Sequence, residues 1–126
     1  MKKSVLLCDD DTDILELCKY IFEQEGFEAK VFSKMKDALE EVLNSPPDLI
    51  LLDIWMPGMS GIEVARLLKQ NPKTSEIPIL LFSANSEIDQ LANEINANGF
   101  IKKPFNTQEL KSTIKKYLNM NEENAE

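Results

Sequence analysis

The 126-residue sequence contains no histidine. That absence excludes Ser-His and Cys-His catalytic pairs, zinc sites with imidazole ligands, and any phosphohistidine carried by this chain. Cysteine is scarce too. Cys8 and Cys18 cannot make a disulfide framework or a four-thiolate metal site, and both lie in apolar patterns that suit reduced core thiols. No apolar run approaches the roughly 20 residues that cross a bilayer. The opening Met1-Lys2-Lys3-Ser4 leads into a short apolar stretch before Asp9, too short for a signal peptide. A cytoplasmic location without membrane contact is the expectation. Basic residues are outnumbered, 14 Lys and Arg against 22 Asp and Glu, and the net charge of −8 argues against a nucleic-acid-binding surface. Chemistry is left to carboxylates, lysines and hydroxyls.

What is present suits one globular domain, with 43% hydrophobic and 29% charged residues. Five aliphatic runs read as strands: Val5 to Cys8, Ala29 to Phe32, Leu49 to Leu52, Ile77 to Phe82, and Phe100-Ile101. The first, third and fourth are nearly continuous, as in strands covered on both faces. Segments of helical spacing lie between them. The first carries Ile14, Leu17, Cys18 and Ile21 and stops at Gly26. The second runs from Met35 to Leu43 with Ser33 as its expected cap, and Pro46-Pro47 end it. Ser60 to Glu63 is a capping-box pattern opening the third. Ile88, Leu91, Ala92 and Ile95 mark the fourth, and Asn106 to Glu109 opens the fifth. Alternating strands and helices predict an α/β fold with a parallel sheet and right-handed crossovers. Residues 1–120 are expected to form the domain, and 121–126 a polar, disordered tail.

Ligands of open parallel sheets bind beyond the carboxyl ends of the strands. The residues just past the apolar runs are Asp9 and Asp10, then Asp53, then Ser83, then Lys103. Three carboxylates meeting on one rim repel one another unless a cation is present. Mg²⁺ suits one or two carboxylates, several waters and a phosphate, and a lysine adds a second positive charge. With a hydroxyl donor and an aspartate nucleophile, this set matches what a transferring phosphoryl group needs.

Four stretches in this order and spacing resemble the response-regulator receiver domain of two-component signalling. They are Val5 to Asp11, Asp48 to Gly58, Ser83-Ala84, and Lys103-Pro104-Phe105. The resemblance implies a flavodoxin-like, doubly wound, five-stranded parallel sheet of order 2-1-3-4-5 with five helices, in a receiver of the stand-alone type. It implies Asp53 as phosphoacceptor, and Mg²⁺ held by Asp10, Asp53 and the Trp55 carbonyl, with Asp9 acting through water. Asp11 belongs to the loop. Lys103 would pair with phosphoryl oxygens, followed by a cis peptide to Pro104. Ser83 and Phe100 would form the switch, Ser83 moving toward the phosphoryl oxygen and Phe100 turning inward. Trp55 and Asn85 would flank the path of hydrolytic water, with the indole shielding the phosphoaspartate.

The expected function is a phosphorylation-dependent signalling switch. The chain would catalyse its own phosphorylation and slow autodephosphorylation without being a conventional enzyme. The donor would be a histidine kinase or histidine phosphotransfer protein, docking on the first helix near Ile14, Leu15 and Cys18. Output would pass to a downstream protein target, from a monomer or weak dimer. A phosphorelay intermediate and a receiver that binds partners without phosphorylation are the alternatives. Receivers of winged-helix transcription factors commonly carry an acidic pair before the last-strand aromatic and an arginine in the fifth helix. Asn98-Gly99 and Thr113 stand there instead, which weakens the case for their salt-bridged dimer. Two other classes fit poorly. An aspartate-nucleophile phosphatase wants a second aspartate where Trp55 stands, and Asp9-Asp10-Asp11 would repel a flavin phosphate.

Overall fold

The computed structural model describes residues 2–56, 58–84 and 88–125, without the side chains of 89 and 119–125. The strands are β1 (Ser4–Cys8), β2 (Glu28–Phe32), β3 (Leu49–Asp53), β4 (Ile79–Ser83) and β5 (Gly99–Lys102). They alternate with α1 (Thr12–Gln24), α2 (Met35–Asn44), α3 (Gly61–Gln70), α4 (Ile88–Glu94) and α5 (Thr107–Ala125). All neighbouring strands are parallel, in the order β2-β1-β3-β4-β5. This is the expected doubly wound fold.

Strand side chains alternate between faces, so position parity decides which layer each one joins. Leu6, Cys8, Ile50, Leu52, Ile79 and Leu81 pack in the cluster that α2, α3 and α4 cover. Val5, Leu7, Leu49, Leu51, Leu80, Phe82 and Ile101 pack in the other, under α1 and α5. Both layers are closed, which is why the central strands are apolar throughout. Cys8 and Cys18 are free and fully buried, and burial pushes both thiols up to about 12, so they are inert core groups.

Caps follow local chemistry. The Ser60 hydroxyl accepts from the Glu63 N–H at 3.2 Å, and Asn106 Oδ1 accepts from the Glu109 N–H at 2.8 Å. Gly26, at φ 89°, takes the left-handed position just past α1.

Three expectations need correction. The buried face of α1 is Leu15, Cys18, Ile21 and Phe22, and Leu17 is 48% exposed. Two apolar stripes overlap on this helix, and the packed one buries the larger Phe22. The cap of α2 is Lys34 rather than Ser33, and it makes no side-chain capping bond. The fourth run enters the sheet only at Ile79, because Pro78 has no N–H and contributes its carbonyl alone, to the Ile50 N–H at 3.0 Å. The backbone of α5 is helical to Ala125. No proline or glycine follows Leu118 to stop it.

Candidate functional site

The parity that sorts the core also assembles the site. Asp9 follows Val5 and Leu7, Asp53 follows Leu49 and Leu51, and Lys103 follows Ile101, all on the α1–α5 side of the sheet. Cys8 pairs with Leu52, so the next residues, Asp9 and Asp53, leave adjacent strands side by side. Together with Asp10 from the following loop, they bring three carboxylate oxygens within 4.8 Å of one another. Asp9 and Asp53 are buried, and Asp10 is exposed at the mouth.

Lys103 closes the cluster. Its Nζ lies 2.5 Å from Asp9 Oδ2 and 3.7 Å from Asp53 Oδ2, and 4.8 Å from the Phe82 ring centroid. The nearer partner is Asp9, not Asp53. The other oxygen of Asp9 accepts the Asp11 N–H at 2.9 Å, so both are engaged within the protein. The Lys103-Pro104 peptide is cis. Lys102 points to the opposite face, its Nζ 5.9 Å from the Phe100 ring centroid.

Asp53 Oδ1 accepts the Trp55 N–H at 3.3 Å. Burial, and then the neighbouring Asp9 charge, raise the Asp53 carboxyl to about 6, opposed by Lys103 and by that N–H. The electrostatics therefore call for further positive charge, and the donor set is all oxygen. Mg²⁺ fits such a cluster by both criteria. Asp9, Asp10 and Asp53 are the side chains that could hold it.

Ser83, buried at the end of β4, shares a sheet face with Phe100, since Ser83 pairs with Lys102 and Leu81 with Phe100. Phe100 is 37% exposed, so its ring lies at the surface here. Trp55 is 64% exposed beside Asp53. Asn85 and Pro57 lie outside the described residues.

Three contributors escaped the sequence reading. Asp11 is the N-cap of α1, its Oδ1 accepting from Asp13 and Ile14, and the acid just before that helix was the signal. Gly61 opens α3 against Asp53, and a Cβ there would overlap the Asp53 carbonyl. The need for glycine is visible only in three dimensions. Phe82, read as core, also floors the lysine. The expected docking residues Leu15 and Cys18 are in the core, since they belong to the packed stripe of α1. A hollow of about 450 Å³ beside the site is lined instead by Ile14, Leu17, Ala84, Lys103, Pro104, Phe105 and Thr107.

The family model of the response regulator receiver domain matches residues 5–115. The chain belongs to this family. It is a receiver domain of two-component systems, consistent with phosphorylation-dependent signalling. It is 37% identical over 118 residues to the phosphate regulon transcriptional regulatory protein PhoB of Pseudomonas aeruginosa, covering 92% of this chain and 52% of that protein. It is 34% identical over 125 residues to the DNA-binding response regulator MtrA of Mycobacterium tuberculosis, covering 98% and 54%. The receiver thus spans about half the length of these curated relatives. Among solved structures, a CheY-like receiver domain protein from Methanospirillum hungatei superposes with a TM-score of 0.89 at 28% identity, covering 98% of this chain and 99% of that one. Chemotaxis response regulator CheY4 of Vibrio cholerae gives 0.87 at 26%, covering 94% and 100%. Among the described residues, no helix is long and apolar enough to cross a membrane.

Proposed function

We propose that this receiver accepts a phosphoryl group on Asp53 from a phosphohistidine of a histidine kinase or histidine phosphotransfer protein. The observation that carries the reading is the buried Asp53 carboxylate, clustered within 4.8 Å of Asp9 and Asp10 oxygens and 3.7 Å from the Lys103 ammonium. An Asp53 oxygen attacks phosphorus, the P–N bond breaks, and the imidazole leaves with the bonding electrons. A carboxyl near 6 is still mostly ionised at neutral pH, so Asp53 keeps its nucleophilic form. Mg²⁺, when bound by Asp10, Asp53 and the Trp55 carbonyl, supplies neutralising charge for the phosphoryl oxygens. Asp9, with both oxygens engaged, acts through water rather than as a direct ligand. Lys103 is within reach of the same oxygens.

The donor docks in the hollow between Ile14 and Leu17 of α1 and Pro104 and Phe105, which opens beside Lys103. The phosphoryl group then draws the Ser83 hydroxyl, and Phe100 turns inward from its exposed position, changing the α4–β5–α5 surface offered to a protein target. PhoB and MtrA are named as regulators of transcription or DNA binding. For this domain, a net charge of −8 favours output through protein contact. Trp55 shields the phosphoaspartate from water, so Trp55→Ala should shorten its half-life.

Incubation with Mg²⁺ and acetyl phosphate, followed by intact mass, tests the reading. A phosphoryl mass gain is expected in the parent and none in Asp53→Asn. No gain in the parent, with beryllofluoride also failing to bind, overturns it.

A further inference from the structure

Methionine gathers on one flank of the site: Met35, Met56 and Met59 pack in or against the core cluster under α2, α3 and α4. We propose that Met59 is an oxidation site: hydrogen peroxide entering a hollow beside Asp10 converts its thioether to a sulfoxide, which slows phosphoryl acceptance at Asp53. The inference rests on the phosphoacceptor reading of that site and adds redox regulation to it.

The sulfur groups of this flank differ in access. Cys8 is fully buried, and its thiol, pushed up to about 12, stays protonated and unreactive. That thiol donates to Met56 Sδ at 3.7 Å, so one lone pair of the Met56 sulfur is engaged in the core. Met35 is 2% exposed. Met59 is only partly buried, and it lines a hollow of about 510 Å³ that also reaches Asp10, Lys34 and Lys36. A small oxidant therefore meets Met59 first. A sulfur lone pair attacks one peroxide oxygen, the S–O bond forms and the O–O bond breaks. The departing hydroxide takes the proton left on the new oxygen, so sulfur is oxidised to the sulfoxide and peroxide is reduced to water.

The change reaches the acceptor because the segment between Asp53 and α3 has no slack. Ser60, the residue after Met59, caps α3 by accepting the Glu63 N–H at 3.2 Å. Gly61 follows, so close that a Cβ there would overlap the Asp53 carbonyl. At the other end, Asp53 Oδ1 accepts the Trp55 N–H at 3.3 Å. Between these ends, Met56 and Met59 anchor the segment on the core. A sulfoxide is a polar acceptor, and packed among aliphatic side chains it lacks a donor. Its donors lie outward, in water and on Lys34 and Lys36 of the same hollow. Drawn outward, Met59 pulls the first turn of α3 away from Asp53 and shifts the segment that carries Trp55. Misplacement of this kind should slow phosphoryl acceptance by about tenfold.

The test treats the whole chain with graded hydrogen peroxide, maps sulfoxides by peptide mass, and measures the rate of phosphorylation by acetyl phosphate with Mg²⁺. Sulfoxide at Met59 ahead of Met35 and Met56 is expected. The rate should fall about tenfold with it, and return after treatment with methionine sulfoxide reductase and a dithiol. Met59→Leu, which keeps the apolar contact without the thioether, should hold its rate through the same treatment. Oxidation that favours Met35 or Met56 overturns the inference. So does a parent oxidised at Met59 that accepts phosphoryl at the untreated rate, or a Met59→Leu variant as sensitive to peroxide as the parent. Should that variant not fold, the partly oxidised parent decides. Its phosphorylated and unphosphorylated pools are separated early in the reaction by phosphate-affinity electrophoresis. The phosphorylated pool should be depleted in Met59 sulfoxide, and equal sulfoxide in both pools overturns the proposal. An untreated parent that accepts phosphoryl on Asp53 while giving the overturning results refutes this inference alone. One that never accepts phosphoryl refutes both.

Discussion

Two partly buried lysines stand at opposite ends of this sheet, and they are held by different kinds of oxygen. At the amino end, Lys69 of α3 donates to the carbonyls of Ser75 and Ile77 at 3.5 and 3.4 Å, and to Asn98 Oδ1 at 2.8 Å. At the carboxyl end, Lys103 lies against the carboxylates of Asp9 and Asp53. Neutral acceptors hold Lys69 by geometry, and burial pushes its ammonium below the ordinary lysine value. Asn98 also accepts the Ile79 N–H at 3.0 Å, and its carbonyl accepts the Tyr117 hydroxyl at 2.7 Å. The amino end is thus a fixed knot joining α3, β4, β5 and α5. Charged partners at the other end hold Lys103 by attraction that makes little directional demand. One lysine ties elements of the fold together, and the other sits among the carboxylates of the candidate site.

Substitutions should separate these roles. The largest effect is expected for Gly61→Ala, because the added methyl meets the Asp53 backbone and not a flexible side chain. A loss of about 3 kcal/mol in urea denaturation is expected, with weaker phosphoryl acceptance as α3 pushes on Asp53.

Asp53→Asn should do the opposite. A folded carboxyl near 6, against an ordinary 3.8, holds its proton more tightly than in the unfolded chain. Its ionised form therefore costs stability above pH 6, and the cost fades as pH falls from 6 toward 4. In chelator at pH 7.5 the asparagine variant should be more stable by about 2 kcal/mol, a difference that closes near pH 4. An unchanged difference at low pH would break the electrostatic account.

Lys69→Met should cost about 1.5 kcal/mol, by orphaning partly buried carbonyls, with phosphoryl acceptance and Mg²⁺ response unchanged. A changed Mg²⁺ response would erase the contrast between the two ends. Asp11→Ala, which removes only a helix cap, should cost about 1 kcal/mol by thermal denaturation.

Much of this site could be read in the sequence because strand alternation is a local rule. Asp9, Asp53 and Lys103 each continue an apolar strand on odd-numbered positions, so their convergence follows from pattern and strand order. The rotation of α1 could not be read this way. Its two apolar stripes differ by one position, and only the shape of the opposing core selects Leu15 and Phe22 over Ile14 and Leu17. Gly61 was hidden for a related reason, since its neighbour is a backbone carbonyl distant in sequence. The preference of Lys103 for Asp9 depends on about an ångström of separation, finer than any pattern resolves.

The tandem Lys102-Lys103 gives that parity an evolutionary side. Were β5 to slip by one residue against β4, Lys102 would replace Lys103 at the carboxylates, and the cluster would keep an ammonium. Phe100 would then change faces and leave the side it shares with Ser83. Such a lineage could retain phosphoryl chemistry while losing the link from acceptor to surface. A slip of register in this strand would spare the ammonium and cost Phe100 its face.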